Sequence, residues 1–241
     1  MHKAERAIIM AAGLGQRLLP ATKDLPKPMV KVNGVRMIDS VIEALQANGI
    51  NEIHVVTGYK AEAYEETKEK YPDVDFVYNP YFETRNNISS MYMVREYLHN
   101  CICVDGDNLI VNPDILHPEF DYSGYAGVRV QYEEESAEWF MYTDEERFVK
   151  YSTKGGHDGW QLYGICRLTE EDGRKIAKYI EEEYEVKKNY DIWWDEIALF
   201  IHPEDFTYRV TPIGSGDMIE IDNFSELLEL DPGYKELECD V

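Results

Sequence analysis

The sequence predicts an α/β fold built around a mostly parallel central sheet. Apolar runs with the length and composition of buried parallel strands occur at 7–10, 53–56 and 101–104. Between the first two runs, residues 37–48 carry apolar side chains at helical spacing, and Gly49 then supplies a helix stop. This order of strand, helix and strand implies a right-handed crossover, with ligands bound at the carboxyl ends of the strands.

The same alternation continues as far as residue 104. A charged amphipathic helix is predicted over 61–71, a strand over 75–78 and a further helix over 89–98. Asn87 or Ser89 is expected to cap the last of these helices, because amide and hydroxyl oxygens accept hydrogen bonds from free backbone N–H groups. The first half of the chain therefore has the pattern of a parallel sheet covered by helices.

From about residue 124 the pattern changes to short alternating runs with several aromatic residues and a Gly-Gly turn. We expect a partly antiparallel, substrate-specific portion over about 124–199, within a single domain of residues 1–241. The core of that domain would be about 1–123 and 200–230. The later elements predicted are helices over 170–184 and 193–200, strands over 206–210 and 219–221, and a helix over 224–230.

The composition limits what the chain can bind. With 44% hydrophobic residues among 241, it can bury a sizeable core. Its formal net charge of −23 argues against nucleic acid and anionic membranes as partners, because both require a basic face. No apolar run approaches the length of a membrane span. An anionic nucleotide would therefore need local positive charge or a metal ion, and the oligomeric state stays open.

The cysteines and the N-terminus predict a cytoplasmic protein. The cysteines are Cys101, Cys103, Cys166 and Cys239. They lack zinc spacing, so we expect free and mostly buried thiols, as in a reducing compartment. The residues before the first predicted strand leave no room for a signal peptide.

A loop of small residues follows the first predicted strand and indicates a phosphate site. Its residues are Ala11, Ala12, Gly13, Leu14 and Gly15. Such backbone lets N–H groups approach a phosphate closely, and Arg17 and Lys27 can add positive charge. Pro26 and Pro28 flank Lys27 and stiffen the chain around one flexible cation, as phosphoryl chemistry requires. We expect Lys27 to be exposed and to contribute little to stability.

Two aspartates at strand ends are candidates for one metal site. Asp107 follows the apolar run at 101–104, and Asp222 ends the run 219–222. Neither has an obvious basic partner in the sequence. Mg²⁺ takes few protein oxygens and completes its shell with phosphate and water, so two carboxylates can hold it against a substrate.

The pattern A-A-G-x-G-x-R followed by P-K, over 11–27, resembles the signature of the nucleotidyltransferases. Within that superfamily the chain looks most like the bacterial CTP:phosphocholine cytidylyltransferases, and the resemblance covers nearly its whole length. It implies a Rossmann-like three-layer nucleotidyltransferase fold, with a mostly parallel mixed sheet and a small antiparallel substrate-binding portion. It also implies Mg²⁺ on Asp107 and Asp222, with Lys27 and Arg17 as catalytic residues.

The implied reaction transfers CMP from CTP to phosphocholine, giving CDP-choline and pyrophosphate by in-line attack. Asn87, Ser89 and Ser90 lie in a stretch similar to that of the phosphocholine enzymes, and their amides and hydroxyls can read the edge of cytosine. Asp105, in the V-D-G-D-N stretch, is assigned to the nucleotide with them. The loop at 11–15 would bind the phosphates.

Aromatic residues supply a candidate acceptor site. A quaternary ammonium cannot donate a hydrogen bond, so aromatic faces bind it while a carboxylate attracts it. Trp193 and Trp194 are adjacent and cannot both be buried on one helix face, so at least one should line a cleft. The segments Glu138-Trp139-Phe140 and Trp193-Trp194-Asp195 match the family's choline-site region. The residues assigned to the acceptor are Trp139, Trp193, Trp194, Asp195 and Glu220.

Other functions stay open at this point. The same reaction on 2-aminoethylphosphonate or phosphoethanolamine would place a primary ammonium against acceptors such as Asp195 or Glu220. A sugar-1-phosphate nucleotidyltransferase is a more distant alternative. A protein of another class, an inactive nucleotide-sensing or scaffold domain, is disfavoured because Lys27, Asp107 and Asp222 occur together.

Overall fold

A computed structural model of the chain describes residues 1–136, 138–144 and 147–240. Its centre is a nine-stranded mixed sheet, and three two-stranded sheets lie around it. The strands are β1 His2–Lys3, β2 Arg6–Ala11, β3 Lys31–Val32, β4 Val35–Arg36, β5 Glu52–Thr57, β6 Asp75–Tyr78, β7 Cys101–Asp105, β8 Asn108–Ile110, β9 Glu119–Phe120, β10 Gly124–Ser136, β11 Phe140–Asp144, β12 Arg147–Ser152, β13 Gly156–Leu168, β14 Arg209–Pro212 and β15 Met218–Glu220.

The core of the main sheet is parallel, as the sequence predicts. β2 pairs in parallel with β5 and β7, and β5 pairs in parallel with β6. β13 then joins β7 in antiparallel register and carries β10 and β11 with it, while β14 returns parallel to β10. The antiparallel portion is therefore a continuation of the same sheet rather than a separate one.

Helices cover both faces of the sheet, which gives three layers. On β2, Ile9 packs with α1 in one apolar cluster, whereas Ile8 packs with α3 and α4 in another. This alternation follows from the period of two along a strand. The helices are α1 Met37–Ala47, α2 Glu65–Lys70, α3 Ile88–Met93, α4 Glu170–Glu181 and α5 Phe224–Leu230.

Short helical turns occupy many of the connections. In several places they directly precede or follow a longer helix. The 3-10 turns are Gln16–Leu18, Lys27–Met29, Ala61–Tyr64, Arg95–Tyr97, Pro113–Leu116, Pro203–Asp205 and Pro232–Asp240, and the π-helical turns are Glu182–Val186 and Ile197–Ile201.

Several predicted helices are shorter than expected or change type. The helix predicted over 61–71 starts as a 3-10 turn, and that over 89–98 ends at Met93 before a second 3-10 turn. The helix predicted over 193–200 is only the π-helical turn Ile197–Ile201. Residues 193–195 precede this turn, and the Trp194 N–H there donates to the Asn87 side chain, 107 residues away in sequence.

Two further expectations are corrected by the structure. The strand predicted over 206–210 lies at Arg209–Pro212, because its pairing partner begins at Gly124. Asn87 stands at the start of α3, yet within the described chain its side chain makes no cap bond. Its oxygen accepts from Trp194 N at 2.8 Å, so the predicted cap is wrong.

The cysteines and membrane topology can be described in part. Cys101, Cys103 and Cys166 are free and buried, while the side chain of Cys239 lies outside the described residues. Among the described residues, the helices are all too short or too polar to cross a bilayer. The division into a core and a substrate-specific portion stays a prediction, and the second portion includes residues 137, 145 and 146, which are not described.

Candidate active site

A cleft of about 780 Å³ opens at the carboxyl ends of the parallel strands. All of the residues predicted to bind nucleotide, acceptor or metal line it, although they come from positions as far apart as 11 and 222. They are Ala11, Ala12, Gly13, Leu14, Gly15, Arg17, Lys27, Asn87, Ser89, Ser90, Asp105, Asp107, Trp139, Trp193, Trp194, Asp195, Glu220 and Asp222. The geometry brings them together, and their individual roles stay predictions.

The phosphate loop leaves β2 at Ala11 and turns sharply at Gly15. Gly15 has φ 60°, and a Cβ there would lie only 2.9 Å from Cβ of Lys27. Thr22 Oγ1 donates to the Gly15 carbonyl at 2.9 Å, which fixes the turn. Gly13, by contrast, has no atom of the described chain within 4 Å of where a Cβ would stand. The side of the loop at Gly13 is thus open to the cleft, while Gly15 is packed against protein.

Lys27 is buried, so the expectation of an exposed loop lysine is wrong. The residue is 7% exposed, because the turn Lys27–Met29 continues through Pro28 and places Met29 in the core. Nζ lies 2.7 Å from Asp107 Oδ2 and 3.7 Å from Asp222 Oδ1. Burial alone would lower the pKa of the Lys27 ammonium, but Asp107 and Asp222 together raise it above its ordinary value. The ammonium is therefore held charged between two carboxylates.

The two strand-end aspartates also have basic partners, contrary to expectation. Asp107 follows β7 and Asp222 follows β15, and one lysine bridges them. Arg17 Nη2 lies 2.8 Å from Asp222 Oδ1. The loop and both strand ends are thereby tied to one charged centre. Sequence separation hides these ion pairs, since Arg17 and Asp222 are 205 residues apart.

Asp105 and Glu220 add two more carboxylates to this centre. Burial, with Asp107 nearby, raises the pKa of Asp105 well above its ordinary value. Burial, with Asp222 and Asp107 nearby, raises the pKa of Glu220 to about 8. Carboxylate oxygens are the ligands that hard divalent cations prefer, and Lys27 already shows that a cation is stable here. The donor set therefore fits Mg²⁺.

A glycine opposite Asp105 keeps room for its side chain. A Cβ on Gly164 would lie 2.1 Å from Asp105 Oδ2, so β13 can pass Asp105 only with glycine at this position. The pairing of β13 with β7 begins one residue later, at Ile165 opposite Val104. Sequence reasoning missed Gly164, and a glycine inside a long strand is the signal that could have found it.

The hydroxyls predicted to read cytosine are already hydrogen-bonded. Asn79 Nδ2 donates to Ser89 Oγ at 2.9 Å and to Ser90 Oγ at 3.0 Å. Ser89 Oγ in turn donates to the Asn86 carbonyl at 2.8 Å. Asn79 was missed by sequence reasoning, although it follows β6 directly. It stands just past a strand end, as Asp107 does after β7. Its position at a strand end is the signal that could have found it.

Trp139 and Trp193 form one wall of the cleft, the Trp139–Trp193 wall. The rings of Trp139 and Trp193 have centroids 6.0 Å apart at 76°, and Tyr151 meets Trp139 edge-on at 5.4 Å. Trp193 is 47% exposed, whereas its neighbour Trp194 is 4% exposed and packs near Tyr125. The structure thus distinguishes the two adjacent tryptophans, and Trp193 is the one that presents its ring to solvent.

Asp195 lies beside this wall and is held by a residue that sequence reasoning missed. Tyr125 Oη donates to Asp195 Oδ1 at 2.6 Å. Burial raises the pKa of Asp195 to about 6, while hydrogen bonds from Tyr125 and Asn87 oppose that rise. Tyr125 carries no sequence signal beyond its place in an aromatic-rich stretch. Glu138, the residue before Trp139, also lines the cleft and was not predicted.

Three features together are typical of a nucleotidyltransferase. They are the loop of small residues after β2, a lysine that bridges two strand-end aspartates, and a mixed β-sheet covered by helices. The chain matches the family model described as Nucleotidyl transferase over residues 6–151, and it belongs to this family. The resemblance found in the A-A-G-x-G-x-R and P-K pattern is thereby confirmed for the family, and the protein is a nucleotidyltransferase enzyme.

Characterised relatives span almost the whole chain. It is 32% identical over 231 residues to 2-aminoethylphosphonate cytidylyltransferase from Lancefieldella rimae, which covers 95% of this chain and 92% of that protein. It is also 32% identical over 227 residues to choline-phosphate cytidylyltransferase from Streptococcus pneumoniae, covering 94% and 96%. The solved CTP:phosphocholine cytidylyltransferase from Streptococcus pneumoniae superposes with a TM-score of 0.86 at 31% identity, covering 95% and 99%.

Proposed function

We propose that the enzyme transfers CMP from CTP to phosphocholine, giving CDP-choline and pyrophosphate. The observation that carries this proposal is that one cleft is lined by two chemically different sets of residues. One set is the loop at 11–15 with two cations and two strand-end aspartates, which suit a nucleoside triphosphate. The other set is the Trp139–Trp193 wall with Asp195, which suits a small cation. Similarity to a choline-phosphate enzyme along 94% of the chain supports it.

The reaction needs positioning and charge stabilisation more than proton transfer. A phosphate oxygen of the acceptor attacks the α-phosphorus of CTP, and the bond from that phosphorus to the pyrophosphate oxygen breaks. The attacking phosphate is already ionised near neutral pH, so a general base is unnecessary. Lys27 and Arg17 would stabilise the charge that grows on the phosphates, since both line the cleft and lie close to Asp222.

A divalent cation is expected to share this task. Asp107 and Asp222 would hold Mg²⁺, which would neutralise charge on the triphosphate and the leaving pyrophosphate. The backbone N–H groups of the loop at 11–15 would bind phosphate oxygens. Ser89, Ser90 and Asp105 stay the proposed contacts to the nucleoside, whereas the Asn87 amide oxygen already accepts from Trp194 N. Ser89 Oγ already accepts from Asn79 Nδ2 and donates to the Asn86 carbonyl. We therefore expect Ser89 to act by holding the neighbouring segments in place.

A second acceptor, 2-aminoethylphosphonate, is favoured by one specific observation. Asp195 places a carboxylate next to the tryptophan wall, and a primary ammonium binds best where a carboxylate accepts its hydrogen bonds. The similarity to a 2-aminoethylphosphonate enzyme along 95% of the chain agrees with this. Both acceptors end in an ammonium and an ionised phosphorus group. We also infer a cytoplasmic location, which is supported by the buried free thiols.

The test is pyrophosphate release from purified enzyme with a panel of substrates. CTP would be compared with UTP, ATP and GTP, and the acceptors would be phosphocholine, phosphoethanolamine, 2-aminoethylphosphonate and glucose 1-phosphate. We expect release with CTP and an ammonium-bearing acceptor, and its loss when EDTA removes the divalent cation. Preference for glucose 1-phosphate would overturn the acceptor class. Absence of release with every pair would favour a nucleotide-sensing domain.

A further inference from the structure

Residues 85–87 contact the segment that leads to Trp193 and hold it in place. Asn86 N donates to the Tyr190 carbonyl at 2.9 Å, and Asn86 Nδ2 donates to the Asp191 carbonyl at 2.9 Å. The guanidinium of Arg85 stacks on the ring of Tyr190 at 3.9 Å. This part of the chain therefore acts as a clamp, which we define as residues 85–87, on the segment that leads to Trp193.

Asn87, the last residue of the clamp, is used differently from its neighbours. Its Oδ1 accepts from Trp194 N at 2.8 Å, which orients the amide group. The oxygen is thereby engaged, and the Asn87 side chain also acts on Asp195, because a hydrogen bond from it opposes the rise in the pKa of that carboxyl. One side chain thus interacts with two adjacent residues, Trp194 and Asp195, which follow Trp193. An amide used at both ends has little capacity left to read a base.

Tyr125 completes the surroundings of this carboxylate. Its residue is 2% exposed, and its hydroxyl donates to Asp195 Oδ1 at 2.6 Å. A carboxylate with donors from two separate elements has a fixed direction and keeps its negative charge more readily. The other titratable groups that interact with Asp195 are Cys103, Asp105, Tyr151, Cys166, Glu196 and Tyr208.

We propose that Asn87 is a positioning residue that, with Tyr125, directs the Asp195 carboxylate at the ammonium group of the acceptor. This inference rests on the proposed function, because it requires a cationic acceptor at the tryptophan wall. It changes the role of Asn87 from a cytosine contact to a support for acceptor binding. Burial favours the neutral form of Asp195, and each donor opposes that tendency.

The test measures acceptor kcat/KM against pH in four variants. Asn87→Ala and Tyr125→Phe each remove a donor, so the acidic limb should move to higher pH by roughly 0.5–1 unit. Near neutral pH, the acceptor KM should rise by about tenfold, the effect of one hydrogen bond to a charged group. Asn87→Asp keeps an oxygen for Trp194 N but sets a second carboxylate beside Asp195, so its limb should move furthest. The KM for CTP should stay within about twofold in all three.

Asn86→Ala is the matched control, because it loosens the same segment without removing a donor from Asp195. Its acidic limb should coincide with that of the wild type. A second control is 3,3-dimethylbutyl phosphate, an isostere of phosphocholine that keeps the phosphate but lacks the positive charge. Its kcat/KM should respond equally to pH in wild type and Asn87→Ala, since the phosphate titrates in both. If Asn86→Ala shifts the limb as much as Asn87→Ala, the role of Asn87 is merely structural.

A direct measurement separates this inference from the proposed function. The Asp195 carboxyl carbon, assigned in labelled protein by its loss in Asp195→Asn, reports the pKa by NMR without any acceptor. An unchanged pKa in Asn87→Ala overturns the positioning role whatever the substrate is. A raised pKa with an unmoved kinetic limb overturns the contact with the ammonium. Failure of every ammonium-bearing acceptor in wild type instead removes the proposed function, and the assigned direction of Asp195 with it.

Discussion

Nζ of Lys27 lies 2.7 Å from Oδ2 of Asp107, in the space where the two strand-end aspartates would hold a metal ion. The same nitrogen is 3.7 Å from Asp222, which also pairs with Arg17. The protein without substrate therefore neutralises these carboxylates with its own cations. A divalent cation held by both aspartates would displace Lys27, and the phosphates of CTP would offer its ammonium a new partner.

Lys27→Met should lower turnover by several orders of magnitude, because the phosphates lose a buried and fixed cation. It should also lower the free energy of unfolding, by about 1–3 kcal/mol. Breaking a fully buried pair costs more, about 3–5 kcal/mol, but Asp107 is a third exposed here. Turnover and thermal melting measure the two effects. Lys23→Met, at an exposed lysine of the same loop, is the control and should change neither.

The same variant should bind metal more tightly when CTP is absent. In wild type, Mn²⁺ would compete with the Lys27 ammonium for Asp107, whereas in Lys27→Met Asp107 has lost that partner and Asp222 keeps only Arg17. Electron paramagnetic resonance of free Mn²⁺ measures this affinity without any turnover. Equal Mn²⁺ affinity in the two proteins would show that Lys27 does not stand in the metal site.

Asp107→Asn and Asp222→Asn should each raise the Mg²⁺ concentration needed for half-maximal activity, by at least about tenfold. An amide oxygen lacks the charge that a hard cation prefers, so the cation is held less well. Preference for CTP over UTP should persist, since the metal would contact phosphates rather than the base. Asp73→Asn, at an exposed aspartate, provides the baseline. Unchanged Mg²⁺ activation in both strand-end variants would contradict the shared metal site.

Gly13→Ala and Gly15→Ala should separate nucleotide binding from folding. A Cβ at Gly13 meets open space, so this variant should melt like wild type, while its KM for CTP rises by about tenfold or more. A Cβ at Gly15 meets Lys27 and requires positive φ, so that variant should lose stability as well. An unaltered KM for CTP in a folded Gly13→Ala protein would show that phosphate does not approach this residue.

The elements of the sheet were predictable because their signals are local. The run at 75–78 coincides with β6, and Gly49 ends α1 with φ 76° as a helix stop should. Residues that follow strands share the carboxyl edge of a parallel sheet, so the lining of one cleft by Asp107 and the loop at 11–15 also followed from order along the chain.

The details of the charged centre were not predictable, because they depend on contacts between distant segments. The position of Lys27 also depends on distant contacts, because Val30 and Met37 pack with Ile221, the residue before Asp222, in one apolar cluster. Nothing near Lys27 in sequence signals Ile221. For the same reason, Asn87 looked like a helix cap until the structure brought Trp194 against it. Polar side chains with several possible partners are fixed by tertiary contacts rather than by local pattern.

The Trp139–Trp193 wall gives the prediction that decides between the two acceptors. A desolvated cation–π contact contributes about 2 kcal/mol, and about 1.4 kcal/mol is tenfold in affinity. Trp139→Ala and Trp193→Ala should therefore raise the KM for phosphocholine by roughly 10- to 100-fold. Trp193→Phe keeps an aromatic face and should raise it less, and the KM for CTP should hardly change in any of them.

With 2-aminoethylphosphonate the same variants should lose less, because a primary ammonium binds mainly through hydrogen bonds to a carboxylate. Asp195→Asn should then reverse the order, with a greater loss for 2-aminoethylphosphonate than for phosphocholine. The measurement is kcat/KM for both acceptors at matched CTP in wild type and each variant. A wild-type preference for 2-aminoethylphosphonate, combined with indifference to Trp193→Ala, would replace choline with the primary amine while leaving CMP transfer unchanged.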